Sequence, residues 1–431
     1  MQEAILLSDL IAETKDGEWG QGQEAPGHVL CDVIRGTDFA GLNAPGIELP
    51  QRWIPEHLVV RKALAADDIL IETAGGTAKQ STGRTALITK EFLTSRGGRP
   101  VLCSSFARHL RVDQAKAHPV YLYYVLQALY ASGYMGVFNL QHTGVARFQF
   151  TAFRTKTRLT LHENDVQPKI AATLRSYDDL IANNQRRIAL LESMAEEIYR
   201  EWFVRMRFPG SETAAHERGM PLGWQASTAA AMVQVQGGGT PSTEISQYWG
   251  GEIPFFSPKD SHDGAYCLQT EQSITELGLE NCASRLFPKD TIFITARGTV
   301  GNLVLAGEPM AMNQSCYALV PKIDKKPYFV FAGMRCAVDV IKGVSNSGVF
   351  DNVVMDTFKI IPLINPGDAL RDRYSEVAGP VYEQSLMLRR ANARLRATRD
   401  ALLPRLISGK LRVDALDIQF PPSMQPPSEA A

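Results

Sequence analysis

The sequence of 431 residues lacks the features that mark membrane, secreted and zinc-binding proteins. It has no run of about 18 apolar residues, the length that a membrane-spanning helix needs, and its first residues do not resemble a signal peptide. Its six cysteines form no CxxC pair and no histidine pair has zinc-site spacing, so we expect buried free thiols in a cytoplasmic protein. The net charge is −1, so charge alone indicates no partner.

Motifs of common enzymes are absent as well. No GxxxxGK[ST] loop is present to cradle the phosphates of ATP, and no NPPY-like or DPPY-like tetrapeptide marks an amino-methyltransferase. The scattered histidines support no catalytic triad. Glu13-Thr14-Lys15 resembles the end of a nuclease carboxylate–lysine motif, but this spacing is common by chance. Together these absences favour a protein without a catalytic site.

The sequence instead contains an internal repeat of two copies, and such repeats constrain the fold. Residues 33–38 match residues 255–260, and residues 68–77 match residues 290–299; in both cases the second copy lies 222 positions later. Further matches follow at falling offsets: 104–107 with 315–318 at 211, 119–121 with 327–329 at 208, and 143–145 with 347–349 at 204. The fall from 222 to 208 predicts 14 extra residues in the first half, between Thr77 and Pro119, in a surface loop.

Two long amphipathic helices follow the two halves. Apolar residues recur every three or four positions from 164 to about 206, and again from 366 to 412, so each helix has one apolar face. About 40 residues give a rod of roughly 60 Å, and Pro380 should kink the second rod or divide it. Because the apolar face of each helix must be buried against another apolar surface, we expect the two helices to pack together as an antiparallel coiled coil. The alternative is that each docks on its own globular domain.

The resulting prediction is an α+β protein in which two similar globular domains are separated by the two packed helices. The expected boundaries are a first domain at 1–163, a first spacer helix at 164–207, a second domain at 208–365, a second spacer helix at 366–412, and a disordered tail at 413–431.

The second half carries an ordered set of motifs, namely Pro221-Leu222-Gly223-Trp224, Gly238-Gly239-Thr240-Pro241-Ser242-Thr243, Tyr248-Trp249-Gly250-Gly251, Ser257-Pro258-Lys259-Asp260, Ala296-Arg297-Gly298-Thr299-Val300-Gly301, Asn313-Gln314-Ser315-Cys316 and Leu402–Leu411. With this set the chain resembles the specificity subunits of type I restriction-modification systems over about residues 1–412. The first half departs from the pattern, because it has no GGTPST loop and Leu102-Cys103 stands in place of Asn313-Gln314.

The resemblance implies that each globular segment is a target-recognition domain that reads one half of a bipartite, asymmetric DNA site. The helices would set the spacing between half-sites and dock two methyltransferase (modification) subunits, and a motor-nuclease (restriction) subunit would complete the complex. The chain itself would be non-catalytic and hold no cofactor. S-adenosylmethionine, ATP and Mg²⁺ would be bound by the partner subunits.

Candidate DNA contacts are basic and small polar residues in turns, because such groups hold phosphates and read base edges. In the second half they are Thr240, Ser242, Thr243, Lys259, Arg297, Asn313 and Gln314; in the first half they are Arg35, Lys79, Gln80, Ser81, Thr82 and Arg84. Each also has a structural explanation, such as a glycine-requiring turn at 237–243, an internal salt bridge for Arg297 or a mobile surface loop at 75–84. The arginines of the second helix favour a solvated or partner-binding face.

Two other functions remain open on the sequence. The chain could be a self-sufficient DNA methyltransferase, or a coiled-coil scaffold with no role on DNA.

Overall fold

The computed structural model describes residues 3–42, 44, 46–76, 80–141, 146–217, 219–261, 264–322, 326–344 and 352–425. The chain divides into two compact units: unit 1 holds residues 1–183 and 392–431, and unit 2 holds residues 184–391. Two long helices, Val166–Tyr199 and Asp368–Ile407, each contribute one end to each unit.

The described residues of unit 1 contain small sheets and four short α-helices besides parts of the two long helices. Its strands in the described residues are β1 (Ile5–Leu6), β2 (Ile11–Asp16), β3 (His28–Ile34), β4 (Gln51–Pro55), β5 (Ile69–Glu72), β6 (Ala74–Gly76), β7 (Thr85–Leu87), β8 (Val101–Cys103), β9 (Ala107–Val112), β10 (Asn139–Gln141), β11 (Ala146–Phe148) and β12 (Arg158–Leu159). The helices are α1 (Glu56–Lys62), α2 (Lys90–Ser95), α3 (Pro119–Ala131), α4 (Phe150–Lys156) and the first part of α5 (Val166–Tyr199).

The sheets of unit 1 have the orders β2-β9-β5-β7, β4-β3-β8, β10-β11-β6 and β1-β12. The central strand β5 separates two apolar cores. Ile69 and Ile71 pack with α3 on one face, and Leu70 packs with Ile34 and Cys103 on the other. A strand covered on both faces is continuously apolar, which explains the sequence Ile69-Leu70-Ile71.

Unit 2 has a comparable inventory in its described residues. Its strands are β13 (His216–Glu217), β14 (Met220–Pro221), β15 (Gln225–Thr228), β16 (Val233–Gly237), β17 (Trp249–Phe256), β18 (Tyr266–Cys267), β19 (Gln272–Ile274), β20 (Ile292–Thr295), β21 (Leu303–Ala306), β22 (Ala311–Met312), β23 (Cys316–Pro321) and β24 (Pro362–Asn365). The helices are α6 (Ala229–Met232), α7 (Glu276–Glu280), α8 (Tyr328–Val344), α9 (Thr357–Ile360) and part of α10 (Asp368–Ile407). The sheets have the orders β16-β23-β20-β21-β18, β19-β17-β22, β15-β24 and β13-β14.

The two units share one topology, which confirms the duplication predicted from the sequence. The order β2-β9-β5-β7 corresponds to β16-β23-β20-β21, and β4-β3-β8 corresponds to β19-β17-β22. Even an unusual turn is repeated, because Asp67 and Asp290 both have positive φ angles, 68° and 70°. The two amides donate at 2.8 Å to equivalent carbonyls, those of Ile88 and Ala306. Aspartate is among the few non-glycine residues that tolerate this conformation.

Strand pairing corrects the register of the repeat. Ile69 pairs with Leu110 in unit 1, and Ile292 pairs with Leu319 in unit 2. The paired strands are therefore repeated at offsets of 223 and 209, where the sequence comparison gave 222 and 211. Short apolar strands align about equally well after a slip of one or two residues, whereas the ladder fixes which side chains face each core.

The corrected register changes one motif comparison. Leu102-Cys103 corresponds to Ala311-Met312. The first pair lies in β8 and pairs in parallel with β3, and the second lies in β22 and pairs in parallel with β17. Ser104-Ser105 is therefore the counterpart of Asn313-Gln314. The matches at 143–145 and 347–349 lie outside the described residues.

In unit 1 the first part of α5 packs antiparallel to the last part of α10. Asp178 of α5 accepts a hydrogen bond of 2.6 Å from Tyr124 of α3 and forms an ion pair with Arg399 of α10. Further along α5 the carbonyl of Ile181 accepts from the side chain of Asn392 at 3.3 Å. Partner numbers fall along α10 as they rise along α5, as expected for antiparallel helices.

In unit 2 the two helices are again antiparallel. Glu192 of α5 binds Ser385 and Arg389 of α10, and the hydroxyl of Tyr374 donates to the carbonyl of Ala195 at 2.9 Å. The helix α10 is not divided at Pro380. It continues because Ala378 and Tyr382, on either side of the proline, are fully buried in the core of unit 2.

The residues after α10 pack on unit 1, although the sequence predicted disorder for 413–431. Val413 is buried, and the ammonium group of Lys169 donates to the carbonyls of Asp414 at 2.7 Å and Leu416 at 3.1 Å. Ser423 binds the carboxylate of Asp179. Local composition suggests disorder here, but these contacts order the segment to residue 425, and 426–431 lie outside the described residues.

One histidine of unit 1 is buried without hydrogen bonds. His109 on β9 is 1% exposed, and neither ring nitrogen has a partner among the described residues. Burial lowers the pKa of His109 because the charged imidazolium would lose its hydration. The charged side chains that act on it are those of Asp68, Arg111, Glu13 and Lys15.

Among the described residues, no helix has both the length and the apolar character that a bilayer crossing requires. The six cysteines form no disulfide.

Candidate nucleic-acid interface

Four loops of unit 2 that the sequence singled out lie side by side. The loop after β16 is joined to the loop after β22, because Gly239 N–H donates to Met312 O at 3.1 Å. The loop after β22 is joined to the end of β17, where Asn313 N–H donates to Phe256 O at 2.9 Å. It is also joined to the loop after β20, where Ala296 N–H donates to Ser315 O at 2.8 Å. One edge of unit 2 therefore gathers residues that are more than 70 positions apart in sequence.

The first of these loops depends on a glycine that no other residue can replace without movement. A Cβ atom added to Gly238 would lie 2.1 Å from the carbonyl oxygen of Asn313 and 2.6 Å from that of Met312. Both contacts are with backbone, so no side-chain rotation relieves them. This close approach sets the position of Thr240, whose hydroxyl binds Gln314.

A capping box holds Lys259 at the rim of the same edge. The carboxylate of Asp260 is buried and accepts from the backbone and the hydroxyl of Ser257 at 2.8 and 2.7 Å. Thr299, from the loop after β20, donates to the carbonyl of Pro258 at 3.2 Å. Lys259 itself is 77% exposed, and among the described residues its one ion pair is with Glu271, at 3.3 Å. Such a pair is weak, so the ammonium group is available to another anion.

The predicted contact residues of unit 2 differ in exposure. Ser242, Thr243, Lys259, Arg297 and Gln314 are exposed, whereas Thr240 and Asn313 are partly buried. Asn313 accepts from Ser315 N–H at 3.0 Å and so stabilises its own turn. Trp249 donates to the carbonyl of Ser242 at 3.0 Å and fixes the far end of the glycine loop.

In unit 1 the counterpart of the Lys259 turn contains Arg35. Its guanidinium binds Asp38 through two hydrogen bonds of 3.0 and 2.8 Å, and this contact raises its pKa. Asp38 also accepts from Arg35 N–H at 2.8 Å, so the capping box of Ser257 and Asp260 is repeated here with different residues. Arg35 remains 47% exposed.

Two other predicted residues of unit 1 are engaged inside the protein. Thr82 is fully buried, and its hydroxyl binds Asn139. Arg84 makes hydrogen bonds of 2.9 and 2.6 Å to the buried carboxylate of Glu72, and these bonds raise its pKa. It also donates to the carbonyl of Gly36 at 3.0 Å, which ties β5 to the Arg35 turn. Both side chains thus hold the framework of this edge.

The remaining first-half candidates are Gln80, Ser81 and Lys79. Gln80 is exposed and Ser81 is partly exposed, and the carbonyl of Ser81 accepts from the hydroxyl of Tyr130 at 3.0 Å. Lys79 lies outside the described residues.

Unit 1 also has a counterpart of the glycine loop that sequence reasoning missed. A Cβ atom on Gly17 would lie 2.1 Å from the carbonyl oxygen of Cys103 and 2.2 Å from that of Ser104, the counterparts of the two oxygens that Gly238 approaches in unit 2. Glu18 N–H donates to Cys103 O at 2.8 Å, as Gly239 N–H does to Met312 O. The sequence signal that could have found it was Gly17-Glu18-Trp19-Gly20 directly after a strand. The guanidinium of Arg52 lies over the ring of Trp19, 4.6 Å from the ring centre.

In the described parts of the chain, no three or more His, Cys, Asp or Glu side chains are grouped as ligands of a metal ion.

Comparison with known proteins places this edge in a family. Residues 221–368 match the family described as type I restriction modification DNA specificity domain. The type I restriction enzyme MjaIX specificity subunit of Methanocaldococcus jannaschii is 30% identical over 163 residues, which cover 37% of this chain and 38% of that protein. The HindI specificity subunit of Haemophilus influenzae is 24% identical over 195 residues, which cover 44% and 42% of the two chains. The chain thus spans less than half the length of these curated relatives.

A solved structure shows the same fold. The crystal structure of the S subunit of a type I restriction-modification system from M. genitalium aligns over 94% of this chain and 95% of its own, with a TM-score of 0.53 and 15% identity. All four loops gathered in unit 2 lie within the matched segment 221–368. Residues 221–368 thus match the type I DNA specificity domain, and the chain is similar to specificity subunits of type I restriction-modification systems.

Proposed function

We propose that this chain is the sequence-reading subunit of a type I restriction-modification complex. Each unit reads one half of a bipartite, asymmetric site in double-stranded DNA, and the paired helices set the spacing between the half-sites. The chain also docks two methyltransferase subunits, and a motor-nuclease subunit joins to restrict unmodified DNA. It works in the cytoplasm.

The observation that carries this proposal is the duplicated edge. In unit 2, backbone hydrogen bonds join four loops whose exposed side chains include Lys259, Arg297 and Gln314. A cation that is free to meet a phosphate and a side-chain amide that can pair with adenine are the groups expected at such an interface. The same loops recur in unit 1 around Gly17 and Arg35. Because the side chains differ between the units, two different half-sites follow.

The long helices support docking of other subunits. Leu190 and Met194 lie one turn apart on α5 in unit 2, and they are 65% and 54% exposed. Met387 of α10 is 67% exposed, and Leu180 of α5 in unit 1 is 45% exposed. Apolar side chains left open on a helix are typical of a protein–protein contact.

The chemistry belongs to the partners in this proposal. S-adenosylmethionine is bound by the methyltransferase subunits, and ATP and Mg²⁺ by the motor-nuclease and its complex. The chain contributes the choice of DNA sequence and the geometry of assembly, and it carries no catalytic residue.

Mapping of methylated bases tests the proposal. The chain is co-expressed with the methyltransferase subunit from its own gene neighbourhood, and the host DNA is then read by methylation-sensitive sequencing. We expect one split asymmetric motif, with no methylation when either protein is expressed alone. Methyl transfer by the purified chain alone would indicate a self-sufficient methyltransferase. Methylation or binding without sequence preference would indicate a scaffold.

A further inference from the structure

A pocket of unit 1, at the edge that corresponds to the gathered loops of unit 2, is lined by an arginine that the sequence analysis did not consider. This open pocket has a volume of about 670 Å³, and Thr73, Ser105, Arg108 and Phe150 contribute to its lining. Its position is that of the gathered loops in unit 2. Thr73 N–H donates to Phe106 O at 2.8 Å, as Ala296 N–H does to Ser315 O, so Thr73 and Ser105 are the counterparts of Ala296 and Gln314.

The guanidinium of Arg108 is held by a ring rather than by a carboxylate. Its central carbon lies 5.0 Å from the ring centre of Phe150, which is 7% exposed. Arg108 is partly buried, and it forms no ion pair or side-chain hydrogen bond with another described residue. Asp16, its partner in the β2–β9 ladder, also lines the pocket, but no ion pair joins the two. Two further arginines of this edge, Arg35 and Arg84, are bound to carboxylates.

This arrangement suits a planar ligand with two acceptors. A guanidinium carries five donors in a rigid fork, and contact with an aromatic face fixes the plane of that fork. Arg108 lines an open pocket and its guanidinium donors have no acceptor among the described residues, so they are available to a ligand that supplies acceptors. The edge of guanine presents such a pair in the major groove, its O6 and N7 atoms.

We propose that Arg108 is a specificity-determining residue of unit 1 that reads a guanine in the first half-site. The inference rests on the proposed function. It also accounts for a difference between the units, because strand pairing gives Arg108 and Tyr317 the same position: Arg108 pairs with Ile71, and Tyr317 pairs with Ile294. Tyr317 packs edge-on against Phe358, with ring centres 5.7 Å apart. The same place on the duplicated scaffold thus offers a cation in one unit and a phenol in the other.

The test compares methylation motifs of the complex formed by the full chain and its methyltransferase. In R108M we expect one G·C pair of one half-site to lose its preference by about tenfold to a hundredfold, while the other half-site is unchanged. In R108Q we expect preference at that same pair to shift toward A·T, because a side-chain amide pairs with adenine. Misfolding cannot produce such a shift. Arg158→Met, an exposed arginine of β12 in the same unit, is the matched control and should leave the motif unaltered.

Other outcomes would overturn the inference. If R108M weakens binding equally on all sequences and lowers the salt dependence by about one phosphate contact, Arg108 binds the backbone and not a base. If both half-sites keep every preference in R108M and R108Q, Arg108 reads nothing. A wild-type complex that shows no split motif would instead contradict the proposed function, so the two failures are distinguishable.

Discussion

The carboxylate of Glu192 is the point at which the helices of unit 2 and its globular part are most tightly joined. It is 7% exposed and accepts hydrogen bonds from three directions. Ser385 and Arg389 reach it from α10, Arg389 at 2.9 Å, and the backbone of Ala265 reaches it from the sheet region, also at 2.9 Å. We predict that Glu192→Ala is among the most destabilising single substitutions on α5.

The magnitude follows from what the substitution leaves behind. Arg389 is only 21% exposed, so it would stay largely buried without its counter-charge. Breaking a buried ion pair by removing one partner costs about 3–5 kcal/mol. For a unit of this size, a loss of 3 kcal/mol lowers the melting temperature by roughly 6–12 °C. Removing Glu376, which forms an exposed ion pair with Arg373 on α10, should cost about 0–1 kcal/mol.

Hydrogen exchange read peptide by peptide is the suitable assay, because the chain has two units and one melting curve would mix them. In Glu192→Ala, amides of α5 and α10 in unit 2 should exchange faster, while those of unit 1 around Asp178 and Arg399 keep their protection. Glu376→Ala serves as the control. Equal effects of the two substitutions would refute the reasoning, and so would a double variant with Arg389→Ala that shows no coupling between the two positions.

Three further predictions concern the edge loops and the core. Gly238→Ala should destabilise unit 2 and abolish preference at one half-site, because its Cβ would meet backbone oxygen at 2.1 Å, whereas Gly237→Ala, with nothing within 4 Å, should be tolerated. Methylation motifs and peptide-by-peptide hydrogen exchange of the two variants check this. Lys259→Gln should weaken DNA binding on all sequences alike and reduce the slope of log affinity against log salt by about 0.9, and an unchanged slope would show that this ammonium group meets no phosphate. The lowered pKa of His109 means that the unfolded chain binds more protons than the folded one below about pH 6.5, so unit 1 should lose stability as pH falls from there. Unit 1 of His109→Ala should show a smaller loss between pH 7 and pH 5.5 when hydrogen exchange is read on peptides of unit 1, and equal losses in the two proteins would contradict the assignment.

The alternation of globular segments and long helices could be predicted from the sequence because it depends on periodicity. Spacings of three and four residues mark α5 and α10, and the repeat marks the two units. The buried face of α5 in unit 2 was less visible, since it contains the polar residues Asn184 and Glu192 as well as the apolar Ile188 and Ala195. A search for apolar residues passes over such polar members, although polar groups in a helix seam are known to fix register.

The candidate site was predicted unevenly for a similar reason. In unit 2 the motifs themselves supplied the loops, and the structure gathers them. In unit 1 the loop at 17–20 and Arg108 were missed, because neither resembles its counterpart in sequence. Their equivalence depends on hydrogen bonds to the backbone of Cys103 and on strand pairing with Ile71, and apart from a glycine at the close approach these backbone contacts do not require particular side chains.

The framework of the edge explains why similar loops cannot be exchanged one at a time between the units. In unit 1 the end of β5 carries Glu72. Among the described residues its ion-pair partner is Arg84, which directly precedes β7 and also donates to the carbonyl of Gly36. In unit 2 the position of Glu72 is taken by Thr295, which binds within its own loop to Thr299. Grafting the loop after β20 onto β5 would therefore leave a buried carboxylate or a half-buried guanidinium unpaired, at a cost of several kcal/mol for an ion taken out of water. A change of specificity that keeps the fold is expected at exposed or partly exposed positions such as 108, 297 and 314, and not at the paired residues beneath them.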